Sequence, residues 1–341
     1  MKQKTPIKKL SLCESVRKRP GMYFGSTSSM GVNIAIYELI ANAIDQYLAG
    51  FSTKISVQIE KDIIMICDDG KGLPFDKVAI DEHCSTLAQS YFLRRHNTPT
   101  ADNHAPHIHL FVGGGLGLAV INSVCNYMKI TSSNGVFVWE QTFGQGKVLS
   151  DVVKKETKLV SGTTIEMQLD KEIFEENIPD MFALRKILFE VAHFYPRLIV
   201  QFQEETFVSK NGLLDLAYMY YHTKECCSYL APLKFFYEGI LDGIQIQVAC
   251  VGKKRASSKF LSWVNGSSLT NGGRHIKGLN TLFKEISWHP QLVLIHIIMH
   301  QPEFAGPTRG ELKNKGLEKV VQDILREPLR EYLASLDEYK S

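Results

Sequence analysis

Apolar residues recur along this chain in two registers, and the changes of register mark its elements. Over about 31–49 the spacing is helical but cut by a polar stripe. Glu38, Asn42 and Asp45 stand at i, i+4 and i+7 on one face, while Leu39, Ile40, Ala43 and Ile44 fall elsewhere. Strands are predicted at about 54–60 and 62–67. The second is a short apolar run, Ile63 to Cys67, that delivers Asp68, Asp69, Gly70, Lys71 and Gly72 at its end. A lid-like loop is expected over about 70–112 and a helix at about 115–126. Strands follow near 127–132, 136–143 and 146–153, turning at Asn134-Gly135 and Gly144-Gln145-Gly146, and Thr163 to Leu169 alternates cleanly. A helix near 180–194 stops before Pro196, and strands near 197–208 complete the region.

Asn211-Gly212 then punctuates the chain, which gives domains at 1–210 and 211–341. The second carries a helix at about 212–221, strands near 232–238, 242–251 and 260–264, a helix near 273–286 and the apolar strand Leu292 to Met299. After a glycine-containing loop at 301–310 comes a helical tail, interrupted by Pro328, with apolar Leu317, Val320, Val321, Ile324 and Leu325. The pattern as a whole is α+β.

Composition narrows the class without naming a function. A chain of 341 residues with 44% hydrophobic and 22% charged residues needs no disordered or fibrous reading, and its length suggests two domains. No run of about 18 apolar residues is present, and the basic start has no apolar stretch behind it, so a cytoplasmic protein without membrane partners is expected. Seven cysteines, including Cys226-Cys227, form no metal or disulfide spacing and read as reduced, mostly core thiols. The net charge of +3 does not identify a polyanion partner. The basic clusters at Lys2 to Arg19 and Lys253-Lys254-Arg255 read first as solvated surface.

The candidate chemistry gathers around the stripe. A carboxylate inside an apolar helix is costly unless paired or functional; a general base for water attack on a phosphoryl group would need such a group as Glu38, although a helix glutamate taken alone is more often a surface residue. Asn42 offers an amide oxygen to a hard cation such as Mg2+. Asp68, at a strand end, can accept a hydrogen bond from an exocyclic amine, whereas Asp69-Gly70 equally reads as a simple turn. Gly113-Gly114-Gly115-Leu116-Gly117 precedes a helical pattern, so its amides could face phosphate, although neither dinucleotide spacing nor a P-loop is present. His96, His104, His107 and His109 lack the spacing of a zinc site and fit the lid better. No Ser-His-Asp or Cys-His order emerges.

These residues, with Val16-Arg-Lys-Arg-Pro-Gly-Met-Tyr-Phe-Gly25, Leu73-Pro74, Ser161-Gly-Thr163, Asn271-Gly-Gly-Arg-His275 and Pro302-Glu-Phe304, closely resemble the ATPase region of bacterial type IIA topoisomerase B subunits, gyrase B and topoisomerase IV ParE. The resemblance covers essentially the whole chain. It implies a GHKL (Bergerat) α/β sandwich followed by a ribosomal-S5-like transducer domain, with ATP and Mg2+ as ligands. It implies that Glu38 activates water, Asn42 holds Mg2+, and Asp68 reads the adenine amine with Thr163 assisting through water. Gly72, Gly115 and Gly117 would line the nucleotide and phosphates, with Asp45, Gly70, Pro74 and Leu116 among the contacts.

The resemblance further implies ATP-driven homodimerisation that gates DNA strand passage, alongside a topoisomerase A subunit (gyrase A or ParC) reached through regions this chain lacks. It ends at Ser341 without a toprim Asp-x-Asp cluster, so no DNA cleavage by this polypeptide alone is expected, and its arm before Leu10 is short. The family's Gln-Thr-Lys loop reads Pro307-Thr308-Arg309, so Arg309 takes the place of the lysine on the γ-phosphate. Arginine keeps the charge but presents a broad planar fork. Gln46 and Lys71 stand for the family's glutamate and arginine, and Ser133 for an arginine tied to aminocoumarin binding. The alternative reading is a stand-alone gyrase-like nucleotide-binding or regulatory module with weak or no hydrolysis.

Overall fold

A computed structural model of the chain describes residues 10–78, 84–95, 107–110, 115–158, 160–222, 233–252, 257–306 and 308–338. Lys2 to Lys9, His96, His104, Phe111 to Gly114, Cys226-Cys227, Lys253 to Arg255 and Pro307 lie outside the described residues. The chain forms two compact units, one of Met1–Asn103, Gly115–Arg185 and Gln201–Glu205, the other of His104–Gly114, Lys186–Val200 and Thr206–Ser341.

The first unit is built on a nine-stranded sheet. Its strands are β1 (Lys54–Glu60), β2 (Ile63–Asp68), β3 (Cys125–Ser133), β4 (Phe137–Gly144), β5 (Lys147–Val148), β6 (Val153–Glu156), β7 (Gly162–Leu169), β8 (Ile199–Phe202) and β9 (Glu205–Phe207). They run in the order β5-β4-β3-β7-β2-β1-β8-β9, with β6 also on β4. The pairs β1–β2, β2–β7, β7–β3 and β3–β4 are antiparallel. One face of each strand is buried at alternate positions: Ile55 and Val57, Ile64 and Ile66, Met128 and Ile130, Ile165 and Met167. The 20-residue helix α3 (Ser29–Leu48) packs on β1 and β2, and its Ile36, Ile40 and Ile44 are fully buried.

Departures from the expected elements have local causes. The short helices α1 (Leu12–Lys18) and α2 (Gly21–Phe24) carry the Arg-Lys-Arg-Pro-Gly-Met segment, and α1 starts on a Ser11–Glu14 capping box that the sequence does spell out. A helix, α4 (Leu87–Leu93), stands inside the stretch expected to be loop, with Tyr91 and Phe92 buried. Helix α5 (Leu118–Ser123) is shorter than expected. The carbonyls of Val124 and Cys125 accept from Asp170 and Gln145, so the backbone has already turned toward other partners there. The strand expected over 146–153 is two pieces, because Ser150 folds back on Thr142: its Oγ accepts from the Thr142 amide at 3.0 Å.

The second unit holds a five-stranded sheet. Its order is β10 (Lys234–Leu241), β11 (Ile244–Val251), β14 (Leu292–Ile298), β12 (Lys259–Val264) and β13 (Ser267–Ser268). The β12–β14 pair is parallel, and α8 (Arg274–Glu285) lies between them in the chain as a βαβ crossover. Helices α8 and α9 (Leu317–Glu338) bury Leu279, Leu282, Phe283, Val321, Leu325 and Leu329 in one core with Val248, Val293, Ile295 and Ile297. Pro328 does not interrupt α9. A proline removes a single helical hydrogen bond, and the buried Leu325 and Leu329 on either side hold the helix to the core. Helices α6 (Met181–Phe194) and α7 (Leu213–His222) fall where the periodicity predicts them.

Candidate functional site

In the first unit the polar stripe of α3 is partly open within an otherwise buried helix. Glu38, Asn42 and Asp45 are half-buried, while Leu39, Ile40, Ala43 and Ile44 between them are buried. The glycine stretch meets one end of the stripe: the Gly117 amide donates to Glu38 Oε1 at 2.9 Å. Gly117 has φ 81° and is the cap residue of α5; Leu116 is half-buried and Gly115 exposed. The Asp68 turn meets the other end. A Cβ on Gly70 would lie 2.7 Å from Asp68 Oδ1 and 3.1 Å from the Gln46 side chain, so glycine lets the turn close against α3. Gln46 Oε1 is buried there without a hydrogen-bond partner.

Asp68 itself is unusual. Its register partner across β2 and β7 is the buried Thr163, and its Oδ1 accepts from the Gly70 amide at 2.9 Å. Burial pushes the carboxyl up to about 6, reinforced by the neighbouring Asp69 charge and opposed by the Gly70 and Thr163 amides. Asp69 has a different task. Its carboxylate gathers the Thr53 and Lys54 amides and the Ser52 and Thr53 hydroxyls at 2.5–2.8 Å, which pins the start of β1. Asp69 is thus committed to the turn, while Asp68 Oδ1 takes the Gly70 amide.

Beyond the turn, the chain folds back on the end of β3. Gly72 has φ 77°, and a Cβ there would sit 2.5 Å from the Ser133 carbonyl oxygen. The Leu73 amide donates to Ser132 Oγ at 2.7 Å, and the half-buried Pro74 accepts from Ala88 through its carbonyl. Sequence reasoning missed Ser132 as an organiser of this turn; its buried position within the alternation of β3 is the available signal. Beside Asp68 and Thr163 opens a cleft of about 410 Å³, also lined by Ser133, Cys67, Val138 and Ser161.

Not every predicted residue lies in this unit. Arg309 belongs to the second unit, in a left-handed conformation (φ 49°), with its guanidinium 5.4 Å from the centre of the Phe304 ring. Lys71 lies over the Phe51 ring at 4.7 Å. Among the described residues no group of three or more His, Cys, Asp or Glu side chains is placed to hold a metal ion, and no helix is long and apolar enough to cross a membrane.

With this geometry in hand, the chain can be set beside known proteins. No family model matches it. It is 29% identical to the B subunit of DNA gyrase from Borrelia hermsii over 95% of this chain and 55% of that protein. It is 26% identical to the B subunit of DNA topoisomerase 4 from Mycoplasma genitalium over 96% of this chain and 56% of that protein. The chain thus spans about half the length of the curated relatives it matches. Among solved structures, the 43K ATPase domain of Thermus thermophilus gyrase B, in complex with an aminocoumarin, matches with a TM-score of 0.75 and 22% identity, covering 96% of this chain and 91% of that one. The topoisomerase IV ATP-binding domain of Francisella tularensis matches with a TM-score of 0.73 and 21% identity, over 94% and 92%. Over nearly its whole length the chain is thus similar in sequence to the B subunits of bacterial gyrase and topoisomerase IV, and it has the α+β fold of the ATPase and ATP-binding domains solved from them.

Proposed function

We propose that the chain is the ATP-binding and ATP-hydrolysing module of a type IIA topoisomerase B subunit. The observation that carries this is the stripe of α3, with a glycine-loop amide on Glu38 at one end and the desolvated Asp68 turn at the other. A half-buried carboxylate, a neutral amide one turn on and a second carboxylate make a face suited to a polyphosphate and its cation. Asp68, ionised above its pKa of about 6, accepts a hydrogen bond from the adenine amine, with Thr163 beside it. Glu38 takes a proton from the attacking water as oxygen bonds to the terminal phosphorus and the bond to the leaving diphosphate breaks.

The Gly117 amide, which donates to Glu38, is the natural donor to a phosphate oxygen; that exchange would free the carboxylate to act as base. Asn42 is the residue that would hold Mg2+. A single amide oxygen fits a cation that arrives already bound to phosphates and water, and bound there it would neutralise charge developing on the phosphoryl oxygens. Arg309 takes the place of the family's phosphate-sensing lysine. Nucleotide-driven dimerisation, gating of DNA passage, an A-subunit partner and a cytoplasmic setting belong to this proposal, and the similarity to gyrase and topoisomerase IV B subunits supports them.

A second reading, nucleotide binding with weak or no turnover, is favoured by one observation: the Arg309 guanidinium rests on the Phe304 ring. Phosphate release measured at saturating Mg-ATP, beside sedimentation with and without a non-hydrolysable analogue, separates the two. Turnover with nucleotide-dependent dimers supports the first reading; dimers without turnover support the second; neither binding nor turnover removes both.

A further inference from the structure

One row of side chains across the sheet of the first unit changes character in its middle. Register partners on neighbouring strands point to the same face of a sheet. From β1 through β2, β7 and β3 to β4 the row reads Ile55, Asp68, Thr163, Ser132 and Trp139. Its two ends are apolar and buried, whereas the three residues between them are polar. Thr163 and Ser132 are 8% and 1% exposed. A hydroxyl buried so deeply is costly without a hydrogen bond, and Ser132 Oγ accepts one from the Leu73 amide at 2.7 Å.

That bond is one fastening of a strap. The chain leaves β2 at Asp68, whose Oδ1 takes the Gly70 amide at 2.9 Å, and by Leu73 it has reached Ser132 on β3, with β7 standing between the two strands. Two strand spacings amount to roughly 10 Å, so the strap spans the end of β7, where Thr163 sits. It passes at backbone contact: a Cβ on Gly72 would lie 2.9 Å from Ser132 Oγ and 2.5 Å from the Ser133 carbonyl oxygen. Beyond Leu73 the Phe75 amide turns back onto the Leu73 carbonyl at 2.8 Å, and the buried Phe75 ring lies parallel to Trp139, the end of the row, at 6.5 Å. The peptide unit is planar, so committing the Leu73 N–H to Ser132 also fixes the direction of the Gly72 carbonyl.

We propose that Ser132 determines base specificity: by fixing the strap beside the Asp68–Thr163 pair, it makes the site take 6-aminopurines and reject 6-oxopurines. The proposal rests on the nucleotide reading above, and Ser132 acts in it as a positioning residue, through the strap and Asp68. An amine at position 6 donates to the Asp68 carboxylate, whereas a 6-oxo group sets one acceptor against another. That conflict is relieved only if the wall of the site gives way, by tilting the base or admitting a water between the two oxygens. A strap held at both ends of the Asp68–Thr163–Ser132 row cannot give way. Loss of the Ser132 hydroxyl leaves the Leu73 amide without its acceptor and frees the strap at that end.

The test uses the full chain, the variant Ser132→Ala, and Arg17→Ala as a variant weakened elsewhere in the same unit. Amide exchange at Leu73 is read without nucleotide, and dissociation constants for ATP and ITP are read by calorimetric titration. The wild type should protect the Leu73 amide and prefer ATP to ITP by about 100-fold or more. Ser132→Ala should speed exchange at Leu73 by at least about tenfold and lower the ATP-to-ITP preference by about tenfold, with a cooperative thermal melt, while Arg17→Ala keeps the wild-type preference. A Leu73 amide unprotected in the wild type overturns the fastening whether or not nucleotide binds. Faster exchange in Ser132→Ala with an unchanged preference, or an equal loss of preference in Arg17→Ala, overturns the specificity role. A wild type that protects Leu73 but binds neither nucleotide overturns the ATP reading and takes the specificity role with it.

Discussion

On the proposed reading, Asp68 pits the stability of the nucleotide-free protein against nucleotide binding. Its carboxyl is raised from 3.8 to about 6, so between those values the folded state binds a proton that the unfolded state releases. Its contribution is favourable at low pH and is lost as pH rises through 6. Asp68→Asn is therefore expected to stabilise the nucleotide-free protein at pH 7.5 by roughly 1–3 kcal/mol while abolishing adenine binding, read by thermal melts beside nucleotide titration. In the wild type, affinity for ATP should rise between pH 5 and 7 as Asp68 ionises. Glu38 gives the complementary case. Glu38→Gln keeps the Gly117 contact available but removes the base, so turnover should fall by about 100-fold or more with nucleotide affinity retained, measured by phosphate release and titration. Equal turnover in that variant would remove Glu38 from the mechanism.

At the scale of elements, close approach decides what the sequence leaves open. Helices α8 and α9 meet at Gly278, where a Cβ would lie 2.6 Å from the Glu318 carbonyl oxygen. Gly278→Ala should destabilise the second unit by about 1–3 kcal/mol, seen as a lower melting temperature, because two backbones must separate. Helix α1 is tied down differently: Arg17 donates to Asp170 at 2.6 Å and to the Ser123 carbonyl at 3.3 Å. Asp170 is 2% exposed and keeps the Glu172 amide on its Oδ1, so Arg17→Ala removes the cation from a buried carboxylate and should cost about 1–3 kcal/mol in a denaturant titration. The Arg-Lys-Arg-Pro-Gly-Met segment, legible as a family string, thus has a physical task in joining α1 to the ends of α5 and β7.

For the whole molecule, acid should act oppositely on the two units. The second contains His275 and His296, both fully buried, with rings pushed down by burial to about 4 and about 3. The His296 ring hydrogen-bonds Gln247 and the Gly266 amide and stacks on Phe194 at 4.8 Å, a setting that suits the neutral ring. Unfolded histidines protonate near 6.5, so stability is lost as pH falls below that value, by about 2 kcal/mol for each of the two at pH 5. Glu190, raised by burial, opposes this in the same unit, and Asp68 opposes it in the first. Between pH 7 and 5 the second unit should therefore lose stability ahead of the first. Single-tryptophan variants retaining Trp139 for the first unit, or Trp263 for the second, would report the two transitions separately; coincident transitions at pH 5 would contradict the expectation.

The sequence by itself determined the long periodic elements, the polar stripe of α3, the Asp68 to Gly72 turn and the family string. Each is written in local spacing: 3.6-residue and two-residue alternation, a glycine where backbone must pass close, a carboxylate where apolar residues are the rule. It did not determine that α4 interrupts the expected lid, that α9 runs through Pro328, or that His107–Leu110 belongs to the second unit. Those outcomes depend on partners far away in the chain, Phe143 for Phe92 and Asn265 and Ser267 for the segment at 107–110. Only the tertiary structure could decide that Glu38 faces the Gly117 amide, because a contact across 79 positions is fixed by how α3 and α5 pack rather than by the spacing of either. The same holds for the pKa of Asp68. An aspartate after a strand is a turn residue by composition, and burial beside Gly70 and Thr163 is what makes it an acceptor poised to change charge near pH 6.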